Sequence, residues 1–242
     1  MNSTMNVIDE FSRFANLYDT YNIIQSKVAK KVVSMIDNKN YNSILDMGCG
    51  SGLIYKEIIK CGLYFENFIA LDFSKEMLNI HPNSTKIKKL HFNFNNRDDF
   101  LNLKQNRYDC VISSSALQWS LDLDMSLKEI SKLSNRFYIS FFTSNTFFSL
   151  HKVAGIKSPI YAEDTIKSVV RKYFNASFEI VDYKLEFSNV HKMLRYIKRS
   201  GVSGGKKRLS YKEIKKILEH YPLNYLEFEV LFINATSKNY RE

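Results

Sequence analysis

A chain of 242 residues, 45% hydrophobic and 14% aromatic, is long enough for one sizeable domain and too apolar for wholesale disorder. Three prolines and eight glycines argue against a multi-linker organisation, and the scattered Cys49, Cys61 and Cys110 have neither disulfide-framework nor metal-ligand spacing, so reduced thiols and no metal site are expected. The net charge of +10 suggests an acidic partner or a lysine-rich solvated surface, without the zinc spacing or interleaved aromatics of common nucleic-acid modules. Apolar runs stop well short of the ~20 residues of a membrane span. The opening MNSTMNVIDEF has no basic n-region or apolar h-region. The expectation is therefore a cytoplasmic protein.

In chain order, Phe11 to Val33 reads as an amphipathic helix, with Phe11, Phe14, Tyr18 and Tyr21 at spacings of three and four. Phe11 and Phe14 suit a core-facing stripe. The hydroxyls of Tyr18 and Tyr21 suit a lid over a ligand about as well as a buried face. Next comes a short apolar strand, Ile44–Met47, inside LDMGCGSG (Leu45 to Gly52), and then a helix over Ser51–Cys61 with Leu53, Ile54, Ile58 and Ile59 at helical spacing. The glycines therefore fall where a strand turns into a helix, so backbone can approach a ligand and free N–H groups face it. Their spacing is G-x-G-x-G, which does not meet the dinucleotide fingerprint.

Asn67–Leu71 is a second apolar strand ending in Asp72, about 20 residues beyond the loop, where a carboxylate can accept both ribose hydroxyls of an adenosine. Phe73 could pack on the adenine. Ser74 is an N-cap for the helix that begins Lys75-Glu76-Met77-Leu78. A third strand spans Lys86–Phe94, after which Asn95, Asn96, Asp98 and Asp99 could each supply an adenine-binding group or form an exposed turn. The fourth strand, Tyr108–Ser113, runs into Ser113–Ser115, Gln118 and the only tryptophan, Trp119, at the end of the sheet where open α/β folds bind ligands.

A helix over Leu121–Leu133 and a strand over Arg136–Thr143 complete the strand–helix alternation of a doubly wound parallel sheet. Then the pattern breaks. Thr146–Val153 and Glu163–Phe174 read as two helices around Gly155 and Pro159, the best place for substrate selection. Ser177–Phe187 is a strand, His191–Arg199 a basic helix, Gly201–Gly205 a break, and Tyr211–His220 a helix capped by Ser210. Leu226–Ala235 closes the chain as a strand expected to pair antiparallel at the far end of the sheet.

Asp46 two residues ahead of Gly48, the loop glycines, Asp72 and the segment SSSALQW together resemble a class I methyltransferase dependent on S-adenosylmethionine (SAM). The resemblance narrows to the malonyl-acyl-carrier-protein O-methyltransferases of biotin synthesis. Phe11, Arg13, Ala15, Tyr18 and Gln25 fit the opening of that family, and Ala116-Leu117-Gln118-Trp119 its ALQW element. Phe142-Thr143, Leu150-His151, Met193-Leu194-Arg195 through Gly201, and Leu226 to Ala235 fit later patches. Phe14, Tyr21 and the third-strand acid depart from the pattern.

The resemblance implies a Rossmann-like α/β fold: a seven-stranded doubly wound sheet, mostly parallel with one antiparallel strand, plus a helical insertion. It implies one domain over 1–242, with an N-terminal helical lid at 1–37 and a substrate-binding insertion at 144–175. It implies SAM as cofactor, with S-adenosylhomocysteine as product, held by Asp46, Gly48, Gly50, Gly52, Asp72, Phe73, Met77 and Ser113. Tyr18, Gln118, Trp119 and Arg195 are then the catalytic candidates; His151 could also touch substrate. The implied substrate is the acidic malonyl-acyl carrier protein, met by a monomer with no membrane or nucleic-acid partner. Other acceptors (a small carboxylic acid, RNA) and a non-catalytic SAM-binding regulator remain as alternative readings. A malonyl carboxylate needs no general base, which agrees with the absence of a Ser/His/Asp or Cys/His/Asp constellation.

Overall fold

A computed structural model describes residues 21–103, 108–199 and 209–239. Tyr18, the rest of the lid ahead of Tyr21, and the Gly201–Gly205 break lie outside them. The strands are β1 (Asn40–Met47), β2 (Tyr64–Asp72), β3 (Ile87–His91), β4 (Cys110–Ser114), β5 (Arg136–Phe142), β6 (Phe174–Glu186) and β7 (Tyr225–Ser237). They form one seven-stranded sheet in the order β3-β2-β1-β4-β5-β7-β6. β1 to β5 pair in parallel, and β7 runs antiparallel to both β5 and β6. The closing strand is thus antiparallel, as its sequence suggests, but it is not outermost: it inserts between β5 and β6, and β6 forms the edge.

The order of β1 to β4 places the crossing point between β1 and β4, so a crevice opens at the carboxyl ends of β1, β2 and β4. Both faces of the sheet are covered, as a parallel sheet requires. On one face α1 (Ile23–Ser34) buries Ile24, Val28, Ala29, Val32 and Val33, a helical stripe, in a cluster with Ile44, Phe68, Ala70, Ile112 and Phe142. On the other face α5 (Leu123–Ile130) packs Leu123, Leu127 and Ile130 among Leu45, Met47, Leu71, Val111 and Phe137. Alternate residues of β1 thereby enter opposite layers.

The remaining helices are α2 (Leu53–Lys60), α3 (Lys75–Ile80), α4 (Arg97–Leu101), α6 (Phe148–Ala154), α7 (Glu163–Tyr173), α8 (Val190–Arg199) and α9 (Tyr211–His220). Their starts follow sequence chemistry. The Ser74 hydroxyl accepts the Met77 N–H, and Ser210 forms a reciprocal capping box with Glu213. β3 ends sooner than its apolar pattern suggests, because the Asn93 N–H turns to the Asp99 carboxylate at 2.7 Å. No helix among the described residues is long and apolar enough to cross a membrane.

Candidate functional site

The loop that follows β1 folds through three glycines with positive φ: Gly48 at 75°, Gly50 at 51° and Gly52 at 82°. Side chains rarely adopt such values. The bend is fastened to the end of β2. Gly48 and Cys49 both donate their N–H groups to the Leu71 carbonyl, at 2.8 and 2.9 Å. The Asp72 carboxylate accepts the Gly50 N–H on one oxygen and the Ser74 N–H on the other, both at 2.9 Å. Gly52 starts α2 against Pro82 and His81, so close that a Cβ would stand 2.6 Å from Pro82 Cδ.

Above this loop lies an open cleft. Its wall at the β2 end consists of Asp72, Phe73 and Met77; its floor is Gly48 to Ser51; its wall at the β4 end is Ser114, Ser115, Ala116 and Trp119. Gln25 from α1 closes one side. No Lys or Arg lines the cleft among the described residues, although the chain carries a net charge of +10. An added Cβ on Gly50 would meet nothing within 4 Å, so this glycine leaves backbone open to a ligand.

Burial makes the acids here hard to ionise. Asp72 is pushed up to about 6, chiefly by desolvation, against the opposing Ser74 and Gly50 N–H groups. Asp46, on β1 two residues ahead of Gly48, is fully buried, and among the described residues neither carboxylate oxygen has a partner; desolvation and then the nearby Asp72 charge hold it well above the usual carboxylate range. Cys49 in the loop is likewise pushed up by burial. A buried acid pair beside a cleft that, among the described residues, no Lys or Arg lines favours a positively charged ligand.

The residues singled out from sequence divide accordingly. Gly48, Gly50, Asp72, Phe73, Met77 and Trp119 meet at the cleft, and Gly52 shapes its entry into α2. Phe73 packs edge-on against Phe94, with centroids 6.4 Å apart. Ser113 does not reach the cleft: it is fully buried and its hydroxyl donates to the Met47 carbonyl at 2.8 Å. Asp46 sits beneath the cleft rather than in its wall. The Gln118 amide is turned onto the Ser115 carbonyl at 2.7 Å and does not line the cleft. Arg195 is exposed on α8 and lies outside the lining. His151 is largely buried on α6 with Nδ1 unpartnered, its pKa lowered by desolvation.

The four polar residues after β3 serve the turn. Asn95 accepts the Leu121 N–H, Asn96 caps α4 by accepting the Asp98 N–H, and Asp99 holds Asn93. The sequence placed Ser113–Ser115 at the ligand-binding end of the sheet, and Ser114 and Ser115 do line the cleft; Gln25 and Ala116, which fit the family pattern but were assigned no contact, line it too. A second signal for Gln25 is a polar side chain directly beside Ile24 on an otherwise apolar stripe.

Residues 45–135, which contain every strand-end at the cleft, match the family described as a methyltransferase domain. The chain resembles a SAM-dependent methyltransferase from Archaeoglobus fulgidus with a TM-score of 0.55 and 16% identity, covering 91% of this chain and 98% of that one. The fold is that of a class I methyltransferase. Curated relatives include the malonyl-[acyl-carrier protein] O-methyltransferase of Halalkalibacterium halodurans, 28% identical over 58% of this chain and 56% of the relative. A second, of the same name, comes from Buchnera aphidicola subsp. Baizongia pistaciae, 25% identical over 90% of this chain and 91% of the relative. In the first of these matches the chain spans about half the relative's length.

The lining of this cleft fits SAM: it offers a carboxylate at Asp72, an apolar slot between Phe73 and Met77 and, among the described residues, no Lys or Arg to oppose a sulfonium.

Proposed function

We propose that this chain is a SAM-dependent O-methyltransferase that methylates the free carboxylate of malonyl-acyl carrier protein, an early step of biotin (pimeloyl) synthesis. The observation that carries the methyltransferase reading is the fastening of the glycine loop to Asp72 around a cleft that no Lys or Arg lines among the described residues. The acceptor follows from the relatives that bear that name, one of them matched along nine-tenths of its length.

When bound, SAM supplies an electrophilic methyl group on a sulfonium. Asp72 retains lone pairs, beyond the two N–H bonds it accepts, for ribose hydroxyls, and Phe73 with Met77 forms an apolar slot for the base. Trp119 and Ala116 wall the β4 end, where the acceptor must approach, and limit water there. A malonyl carboxylate is ionised at neutral pH, so the residues around it hold and orient it and no proton has to be removed.

The insertion at 144–175 is assigned to the acceptor. One bond fastens it beside the cleft's β4 wall, where Tyr161 Oη donates to the Ser120 carbonyl at 2.9 Å, and the Ser144 N–H to Tyr161 carbonyl bond at 2.8 Å closes the insertion on itself. The N-terminal residues to 37 are assigned as the lid, with Tyr18 over the cofactor, because Gln25 of α1 already borders the cleft. Lys192, Arg195 and Lys198 on α8, and Lys212, Lys215 and Lys216 on α9, are all exposed. This basic face suits an acidic carrier protein, and Arg195 then acts in docking or in contact with the carrier's arm.

The test is an assay with methyl-labelled SAM, offering malonyl-acyl carrier protein, free malonate-type acids and RNA in parallel. Label is expected in the carrier-bound malonyl ester alone. Label in RNA, or in none of the three despite SAM binding, defeats the proposal.

A further inference from the structure

Among the described residues, two polar atoms of the cleft lining are buried and have no partner: Gln25 Oε1 on α1 and Ser115 Oγ just after β4. Gln25 as a whole is only 5% exposed. Leaving an acceptor buried and unbonded costs about 1–3 kcal/mol, so such atoms in a ligand cleft mark where ligand donors go. The backbone at Ser115 points the same way. Its φ of 57° lies in the left-handed region, which serine rarely occupies, and its N–H is held by Ser140.

Strand order tells which ligand end these acceptors meet. The nucleoside features (Asp72, Phe73 and Met77) all issue from β2, whereas Ser115 issues from β4, two strands away across β1. α1 packs on α2, β4 and β5, so Gln25 overhangs the same far side. A ligand whose adenosine lies at β2 crosses the glycine loop and delivers its other end to Gln25 and Ser115. With no Lys or Arg in the lining among the described residues, and Asp46 buried nearby, the group fitted to two neutral acceptors is a positively charged N–H donor.

We infer that Gln25, assisted by Ser115, binds the α-ammonium of the cofactor's amino-acid end and makes the cleft selective for ligands that carry it. This rests on the reading of the cleft as a SAM site, and assigns a specificity role to a residue outside the glycine loop and the strand-end acid.

Titration calorimetry tests it with three ligands: S-adenosylhomocysteine, its analogue with the α-amino group replaced by hydrogen, and 5′-methylthioadenosine, which lacks the amino-acid end. The wild-type chain is expected to bind S-adenosylhomocysteine about ten- to a hundredfold more tightly than the deaminated analogue, the range for a hydrogen bond to a charged group. Gln25→Ala should remove most of that ratio while holding 5′-methylthioadenosine affinity within about twofold, which also shows that the cleft is folded. Gln25→Glu, which keeps the acceptor, should retain the preference. Equal weakening of all three ligands in Gln25→Ala, or an unchanged ratio, overturns the assignment. Failure of the wild-type chain to bind any of the three instead overturns the SAM reading itself.

Discussion

Gly48 lies so close to Ala116 that a Cβ built on the glycine would stand 2.2 Å from the Cβ of Ala116. The end of β1 and the segment after β4 therefore touch backbone to side chain, and the floor of the cleft is as thin as the chain allows. Gly48→Ala adds this overlap to the cost of a side chain at φ 75°, itself about 1–2 kcal/mol. The expected result is a loss of at least that much unfolding free energy in urea, together with loss of SAM binding. Pairing it with Ala116→Gly should recover the overlap part and leave the backbone strain. Additive effects in the double-mutant cycle would show that the contact is not close.

Asp72 and His81 flank the same loop and titrate in opposite senses. Asp72 rises to about 6 from an ordinary value of 3.8, so between those values the folded state holds the extra proton and stability falls as pH rises. His81, buried against Gly52, Tyr55 and Phe68, falls from 6.5 to about 4 through desolvation; its contribution is complete above about pH 6.5 and lost as pH drops toward 4. Relative to wild type, Asp72→Asn should gain stability progressively from pH 4 to 6, by about 3 kcal/mol at most. His81→Gln should show the opposite slope over pH 4 to 6.5. Denaturant titrations across that range read both. Wild type is expected to lose SAM affinity below about pH 6, and the Asn variant should not.

The glycine bend, Asp72 and the Ser74 cap were legible because each is a local device: a positive-φ turn, a strand-end acid, and a hydroxyl three residues before the N–H it accepts. Arg195 could have been placed on the outside from spacing alone, since Met193, Tyr196 and Ile197 are the buried positions of α8. The insertion of β7 between β5 and β6 was not legible, because a pairing such as Phe142 with Val230 joins segments whose sequences carry no mark of each other. Ser113 was misjudged for a subtler reason. β4 ends at Ser114 rather than Ser113, and with side chains alternating between faces, one residue decides between the wall of the cleft and the interior.

That alternation gives a contrast to measure. Ser113→Ala removes the bond to the Met47 carbonyl and should cost about 1–3 kcal/mol of stability, because it strands a buried acceptor, while ligand affinity changes less than about twofold. Ser115→Ala removes an unbonded hydroxyl and should leave stability nearly unchanged while weakening S-adenosylhomocysteine. Thermal melts with and without ligand separate the two. A Ser113 variant that melts like wild type yet no longer binds would return that residue to the site.

The basic face of α8 is the feature most closely tied to the proposed acceptor. Lys192, Arg195 and Lys198 recur every three residues on the side opposite Met193 and Tyr196, and all three are exposed. Exposed charges of this kind contribute about 0.2–1 kcal/mol each and are screened over about 8 Å at physiological salt. Reversing all three to glutamate should therefore raise the KM for malonyl-acyl carrier protein about tenfold or more at low salt. The difference should shrink as salt is added, and SAM affinity should not change. A small free acid, lacking the carrier, should feel no difference between the two proteins. If the reversed variant instead loses turnover with carrier and free acid alike, at every salt concentration, then α8 acts on the chemistry or the fold of the cleft and not on an encounter with an acidic partner.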